Sequence, residues 1–495
     1  MNVLVVVVDA LRTDRVGAYG GRPVTPTIDE LAASGTRFER AYSTINATDP
    51  ALTSLQTGRL PRTHGVVNHG SHVTDAEKRA IEGTPTLPVA LEERGYDTGA
   101  FGRPLGRWHR RGFDRYPELS SAHWRLKSLE KSASSLLYGI HPAIGDTISR
   151  TYNALTGRTG SDDEDGVVKQ FTDFLDDAEE FYSLVHLMDT HTPYDVDDDL
   201  VERYLEEYDY ENRPLSEVAS EFPTGSITAN SLTPGGVVNQ DNERWEDHDV
   251  GVGTALARAQ YDAAATEADR TIDGLLEALE TRELLEETLV VVLADHGESL
   301  GEHDIYFEHH GLYESTARIP LIVRPPGESA EQSDELVSIT DVAPTVLDIL
   351  DGHDNREESA FDTDGQSLRP LLEDEAGWES RDSLLLEEAN TQRFRGVRTD
   401  RWKYLEAVDG DPTCRYCERP HGASEQLYDL EGDPEETDDL VDERPQKAAE
   451  LRDELAASLS AHEARSETSD GSDGKGVEYD DEEEVLDRLE SLGYR

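Results

Sequence analysis

Cysteine, methionine and lysine are all scarce: among 495 residues there are two cysteines, two methionines and seven lysines. Cys414 and Cys417 stand three apart, so no disulfide framework holds this chain and its stability has to come from a buried core. No apolar run approaches the roughly 18 residues of a membrane span; the stretch 3–8 suffices only for a buried strand. The opening MNVLVVVVDALR has no basic n-region, no long apolar h-region and no small-residue cleavage site, so the expected location is the cytoplasm, with no transmembrane segment. Positive charge is short as well, with 46 Lys+Arg against 106 Asp+Glu and a net charge of −60. That balance excludes nucleic-acid binding through a basic face. The acid is spread along the whole chain, which suits work in molar salt, where the Debye length is about 3 Å and self-repulsion is screened.

The hydrophobic fraction is 36%, enough for a core in a chain this long. Val3 to Val8 reads as a central parallel strand covered on both faces and delivers Asp9 at its C-terminal end. The run 288–294 likewise delivers Asp295. Further strands are expected at 181–187 and 319–323, and helices at 27–34, 85–94, 167–177, 254–281 and 342–350. This alternation predicts an α/β fold with a mostly parallel sheet, and open α/β sheets bind ligands at the C-terminal ends of their strands. The expected catalytic domain spans 1–380, with insertions at about 120–165 and 195–250. A small antiparallel C-terminal subdomain is expected at 381–463, with a hairpin at 394–399 and 401–407. An acidic, Ser- and Gly-rich flexible tail with a short terminal helix follows at 464–495.

Four segments carry candidate chemistry: Asp9 in VVVDALRTD, Thr48 in TDPALTSLQTGRLPRTHGV, His191 in HLMDTHTPY, and Asp295-His296 in LADHGESLGEHD. Asp and His at the ends of two buried strands can converge on one cation, since carboxylates suit Mg²⁺, Ca²⁺ or Mn²⁺ and imidazole admits Mn²⁺ or Zn²⁺. Cys414-Arg-Tyr-Cys417 with His421 supplies at most part of a zinc ligand set. Asn46-Ala47-Thr48 is a nominal glycosylation sequon in a chain without a secretion signal, and is discounted.

The order of these segments resembles the sulfatase family of the alkaline-phosphatase-like superfamily. Further matching pieces are TGRLPRTHGV at 57–66, Gly95-Tyr-Asp-Thr98, Gly112-Phe-Asp114, HTPY at 191–194, ADHGESLGEH at 294–303, Arg398-Thr-Asp-Arg-Trp-Lys-Tyr404 and the segment from Leu427 to Thr437. The resemblance implies an alkaline-phosphatase-like α/β fold and a hydrolase of sulfate, phosphate or phosphonate esters. The partner would be a small-molecule or glycan ester. It also implies one divalent cation, Mn, Mg or Ca with Zn as a further option, held by Asp9, Thr48, Asp295 and His296. A second, Zn-like site could use Asp189, His191 and His310.

Two departures bear on mechanism. At the position of the oxidised Cys or Ser this chain has Thr48, followed by Asp49, Pro50, Ala51 and, in place of Arg, Leu52; Ala10 stands where many members have a second aspartate. Threonine cannot become formylglycine, but related phosphodiesterases and phosphoethanolamine transferases use threonine directly, so Thr48 is expected to be the nucleophile. His191 would protonate the leaving oxygen, and His310, with His309, would contact the equatorial oxygens. Arg103, Arg107 and His109 compete for a further anion-binding place. A phospho-group transferase acting on a glycan or lipid, a true sulfatase using Ser43 or Ser54, and a non-catalytic binding protein are the alternative readings.

Overall fold

The computed structural model describes residues 1–70, 73–103, 107–117, 164–232, 236–237, 245, 250–327, 331–352, 362–388 and 391–468. The main sheet contains β1 (Asn2–Val8), β2 (Thr36–Tyr42), β3 (Asp97–Gly102), β4 (Phe181–Leu187) and β5 (Thr288–Ala294). After a short hairpin of β6 (Ser299–Leu300) and β7 (Tyr306–Glu308), it is completed by β8 (Arg318–Ile319), β9 (Leu321–Arg324) and β10 (Glu331–Ser338). The strand order is β10-β2-β9-β5-β1-β4-β3, with β8 on β2. Strands β5, β1, β4 and β3 are mutually parallel, while β9 runs against both β5 and β2. The expected strand at 319–323 is two pieces, because Pro320 has no N–H to give to a ladder.

The valines of β1 are buried on both faces, as expected for a strand with helices above and below. A long helix, Thr254–Glu280, lies against the sheet and carries buried alanines such as Ala257, Ala264 and Ala268. Their small side chains permit close packing with the helices Glu164–Leu175 and Asp198–Glu207. The same helix caps a neighbour: Asp269 accepts the backbone N–H groups of Thr27 (3.0 Å) and Ile28 (2.8 Å) at the start of the helix Pro26–Ser34. Those donors have no partner within their own helix. The first expected insertion, 120–165, lies outside the described residues except for the opening of Glu164–Leu175. Of the second, the described part forms the helices Asp198–Glu207, Leu215–Ala219 and Ile227–Ser231.

The C-terminal subdomain is an antiparallel sheet, β11 (Ser383–Glu387), β12 (Phe394–Thr399), β13 (Trp402–Ala407) and β14 (Glu425–Asp429). One face packs on the helix Pro445–Thr468 through Leu385, Val397, Tyr404 and Leu451. The other packs on the catalytic domain through Leu386, Leu405, Tyr42 and Tyr313. Lys403 is fully buried at this junction, with Nζ 2.8 Å from both Glu314 Oε1 and Glu436 Oε1. The expected tail beyond Thr468, with its short terminal helix, lies outside the described residues. No described helix is long and apolar enough to cross a membrane.

Candidate active site

Parallel register brings Asp9 and Asp295 side by side. Val8 pairs with Ala294, so the residue after each strand emerges at one level of the sheet edge. The chain turns at once: Ala10 adopts φ +58°, a left-handed conformation that costs a non-glycine residue energy. The turn aims the Ala10 N–H at Asp295 Oδ1 (3.0 Å), which also accepts the His296 N–H (2.9 Å). Asp295 is thereby fixed with Oδ2 turned inward.

His186 completes this cluster, and the sequence reading missed it. It lies inside β4, opposite Val7 in the register, and sets Nε2 3.2 Å from Asp9 Oδ2. The neighbouring strand comes very close there. Gly102 of β3 has φ +86°, and a Cβ on it would meet the His186 carbonyl oxygen. A donor atom from each of Asp9, His186 and Asp295 falls within 4.8 Å of the others. His296 Nε2 is 3.6 Å from Asp295 Oδ2 and 3.9 Å from Asp9 Oδ1.

Burial by itself would raise the Asp9 carboxyl, but the contact with His186 and the charges of His191 and His296 outweigh it and hold Asp9 well below the usual carboxylate range. Burial and the charge of Asp9 push Asp295 up. Two carboxylates side by side in a dry pocket favour a cation between them. Asp9 Oδ1 and Asp295 Oδ2 are buried without a hydrogen-bond partner among the described residues. The donor set, hard carboxylate oxygens with imidazole nitrogen, fits a divalent cation.

Thr48 opens the helix Thr48–Thr57 and is fully buried. Its Oγ1 donates to Asp9 Oδ2 at 3.2 Å and lies 3.3 Å from His296 Nε2. His296 Nδ1 faces the Gly297 carbonyl oxygen at 2.8 Å. A carbonyl only accepts, so Nδ1 carries a proton, and in the neutral ring the lone pair of Nε2 faces Thr48. The next residue, Asp49, is buried between two imidazoles, His69 Nδ1 at 2.9 Å and His109 Nε2 at 3.3 Å. It also accepts the Gly70 N–H at 2.8 Å. Burial raises Asp49, but His69 and His109 prevail and hold it far below the usual range. His109 therefore reaches the site through Asp49. Leu52, at the arginine position of the family motif, is buried in the core and carries no charge there.

His309 and His191 complete one wall. The His309 ring lies 4.5 Å from that of His296 and 6.1 Å from that of His191. Burial and the charges of His296 and His191 push His309 well below the ordinary histidine value, so it is neutral. His191 Nδ1 donates to the Thr192 carbonyl oxygen at 2.5 Å, and burial lowers its pKa. This loop is tied to the segment that leads into Thr48: Asn46 Nδ2 donates to the His309 carbonyl oxygen at 2.8 Å. The sequon asparagine is thus a buried structural group.

His310 is placed elsewhere. Its Nε2 is 3.3 Å from Cys417 Sγ, and among the described residues Asp189, His191 and His310 do not form a metal-binding cluster. Arg103 follows β3, where its N–H donates to the His186 carbonyl oxygen at 3.2 Å. Arg107 begins a 3₁₀ turn, Arg107–Arg110, that ends beside His109.

A mostly parallel sheet with a helix-borne hydroxyl and an Asp–His cluster at its edge is the architecture of an alkaline-phosphatase-like ester hydrolase. The sulfatase family model matches residues 1–353, and a model of the C-terminal part of N-sulphoglucosamine sulphohydrolase matches 301–465. The chain belongs to the sulfatase family. An uncharacterized sulfatase of Escherichia coli is 25% identical over 469 residues, covering 89% of this chain and 83% of its own. An arylsulfatase of Clostridium perfringens is 23% identical over 483 residues, 90% of this chain and 91% of its own. Among solved structures, the phosphonate monoester hydrolase of Agrobacterium radiobacter has a TM-score of 0.66 at 21% identity, covering 93% of this chain and 96% of its own; that likeness is one of fold.

Proposed function

We propose that this chain is a metal-dependent hydrolase of sulfate, phosphate or phosphonate esters with Thr48 as its nucleophile. The observation that carries this reading is the position of Thr48 Oγ1. It is buried at a helix N-terminus, where the helix dipole favours negative charge, and has an acceptor on each side in Asp9 Oδ2 and His296 Nε2. Asp9, His186, Asp295 and His296, together with Thr48 Oγ1, would hold one divalent cation. When bound, it supplies positive charge that favours the ionised hydroxyl and offsets charge building on the substrate oxygens.

The residues of the chain account for the remaining work. Thr48 passes its hydroxyl proton to Asp9 Oδ2 as Oγ1 forms a bond to sulfur or phosphorus and the bond to the leaving oxygen breaks, and His191 gives that oxygen a proton. Water then displaces Thr48, which recovers its proton from Asp9, while the water passes a proton back to His191, and sulfate, phosphate or the phosphonate leaves. His309, being neutral, donates a hydrogen bond to a substrate oxygen; Arg103 and Arg107 are the further residues proposed to bind its negative charge. A phospho-threonine is opened by water directly, whereas a sulfo-threonine lacks the elimination route of sulfated formylglycine. This chemistry favours phosphate or phosphonate esters over sulfate esters. The reading includes a cytoplasmic, high-salt setting, supported by the net charge of −60.

The test is turnover of nitrophenyl sulfate, phosphate, phosphonate and phosphodiester substrates in molar KCl with Mn²⁺, Mg²⁺, Ca²⁺ or Zn²⁺, for wild type and Thr48→Ala. Phosphorus-centred activity lost in the variant supports the reading. Sulfate-only activity that survives the substitution refutes Thr48 as nucleophile. Products carrying the group on an added alcohol would identify a transferase.

A further inference from the structure

Across the loop from Thr48, four side chains that ester hydrolysis does not use converge. They are His310, Cys414, Cys417 and His421, with one donor atom from each within 4.8 Å of all the others. His310 and both cysteines are buried and His421 is partly so. The two sulfurs are free thiols.

The local backbone is shaped to present them. Between β13 and β14 the chain makes a tight hairpin in which Thr413 bridges Pro420 and the Cys414 N–H donates to the Arg419 carbonyl oxygen at 3.0 Å. Glu418 takes a left-handed φ of +55°, and its N–H returns to the Cys414 carbonyl oxygen at 2.8 Å. The Cys417 N–H approaches Cys414 Sγ at 3.4 Å, and Thr228 Oγ1 lies 3.1 Å from Cys417 Sγ. Backbone and hydroxyl donors of this kind stabilise thiolate ligands.

The imidazoles are set for the same purpose. His421 Nδ1 donates to the His303 carbonyl oxygen at 3.0 Å, which leaves the lone pair on Nε2. A carbonyl on the far nitrogen is the usual support of a metal-bound histidine. His421 Nε2 and His310 Nδ1 are buried, and both rings lie within hydrogen-bond reach of Cys414. His310 Nε2 stands 3.3 Å from Cys417 Sγ. Tetrahedral zinc with Zn–S of about 2.3 Å and Zn–N of about 2.0–2.1 Å has donor–donor edges of roughly 3.3–3.8 Å, and Cys2His2 is a common structural set. Among the described residues no carboxylate joins the cluster, and soft thiolates select against Mg²⁺ and Ca²⁺.

We propose that His310, Cys414, Cys417 and His421 bind a structural Zn²⁺ ion, a second metal centre separate from the Asp9–His186–Asp295 cluster. The ion ties the hairpin of the C-terminal subdomain to the catalytic domain. Through the peptide joining His309 to His310 it also holds His309 against the His296 ring; the consequence for catalysis rests on the proposed function, whereas zinc binding does not.

The experiment is metal analysis of the full chain, purified without added zinc, as wild type, Cys414→Ser/Cys417→Ser, His421→Ala and Asp9→Asn/Asp295→Asn. One zinc equivalent that is absent from the cysteine and histidine variants and present in the aspartate variant is expected. Cobalt reconstitution of the wild type provides a readout that does not depend on any variant folding. It should give a thiolate-to-cobalt charge-transfer band and the visible bands of tetrahedral Co²⁺. Zinc content unchanged by the cysteine substitutions, no thiolate–cobalt band in the wild type, or a Cys414–Cys417 disulfide in freshly purified protein would each overturn the site. Zinc held by the cysteines in a protein without esterase activity would leave this centre standing and remove the proposed function instead.

Discussion

His309 and His310 are consecutive and face opposite ways: the His309 ring lies 4.5 Å from His296 in the active site, and His310 Nε2 lies 3.3 Å from Cys417 Sγ. One peptide therefore joins the ester site to the thiol cluster. We expect His309→Ala to reduce turnover with little effect on thermal stability, and His310→Ala to lower both. Melting temperatures measured beside kcat for the two variants separate these outcomes; equal stability losses would show that the division between the two rings is wrong.

Thr48→Ala should lower kcat by at least roughly a thousandfold, the scale on which removal of a nucleophile acts. Thr48→Ser should keep a substantial part of the rate, because Oγ retains its place between Asp9 and His296. Metal content should stay near that of the wild type in Thr48→Ser and fall in Thr48→Ala, which removes one oxygen donor to the cation. A Thr48→Ala protein that turns over as fast as wild type eliminates the covalent mechanism.

His186→Ala should weaken retention of the active-site cation by at least about tenfold and depress activity with it. The imidazole lies 3.2 Å from Asp9 Oδ2, and its removal leaves the two carboxylates with one nitrogen donor fewer. Metal titration monitored by activity gives the affinity directly. An unchanged metal dependence would mean that His186 only orients Asp9.

His186 also shows where sequence reading stops. Asp9 and Asp295 were legible because each ends a run of β-branched and leucine residues, and such ends collect at one edge of a parallel sheet. His186 was not, since it sits within a strand and only the pairing of Val7 with His186 sets it beside Asp9. Strands β2, TRFERAY, and β10, EQSDELVS, were hidden by charged residues that interrupt the β-branched and aromatic pattern by which a strand is usually read. The CxxC pair was visible, but His310, which lies 3.3 Å from Cys417 Sγ, is about a hundred residues away in sequence and was read into the ester site from its position just before Gly311-Leu312-Tyr313.

His191→Ala should slow esters of poor leaving groups by about 10²- to 10⁴-fold and nitrophenyl esters far less, since only the former need a proton. Nδ1 is engaged by the Thr192 carbonyl oxygen, so the transferable proton is on Nε2 of the imidazolium. Burial lowers the pKa of that group. The required acid form is lost as pH rises through a value below 6.5, so kcat/KM for alkyl esters should climb toward acid pH in wild type and stay flat in the variant. Equal slowing of aryl and alkyl esters excludes His191 as the acid.

Lys403 holds the subdomain to the catalytic domain, and its charge is matched by Glu314 and Glu436 at 2.8 Å each. Lys403→Met should cost about 3–5 kcal/mol by leaving the buried Glu436 without a cation, while Glu314 keeps Arg398 at 3.3 Å. Glu436 supplies the pH dependence. Burial raises it, Lys403 only partly offsets this, and the charge of Glu314 adds to the rise, bringing its pKa to about 7. A carboxyl raised in the folded state favours folding below its unfolded pKa, about 4.3 for glutamate, and that contribution is lost as pH rises through the folded value. Between these limits wild-type stability should carry a component that falls with rising pH, and Glu436→Gln should remove it. Melting curves of both proteins across that window decide the matter, and an identical pH slope would show that Glu436 is ionised throughout.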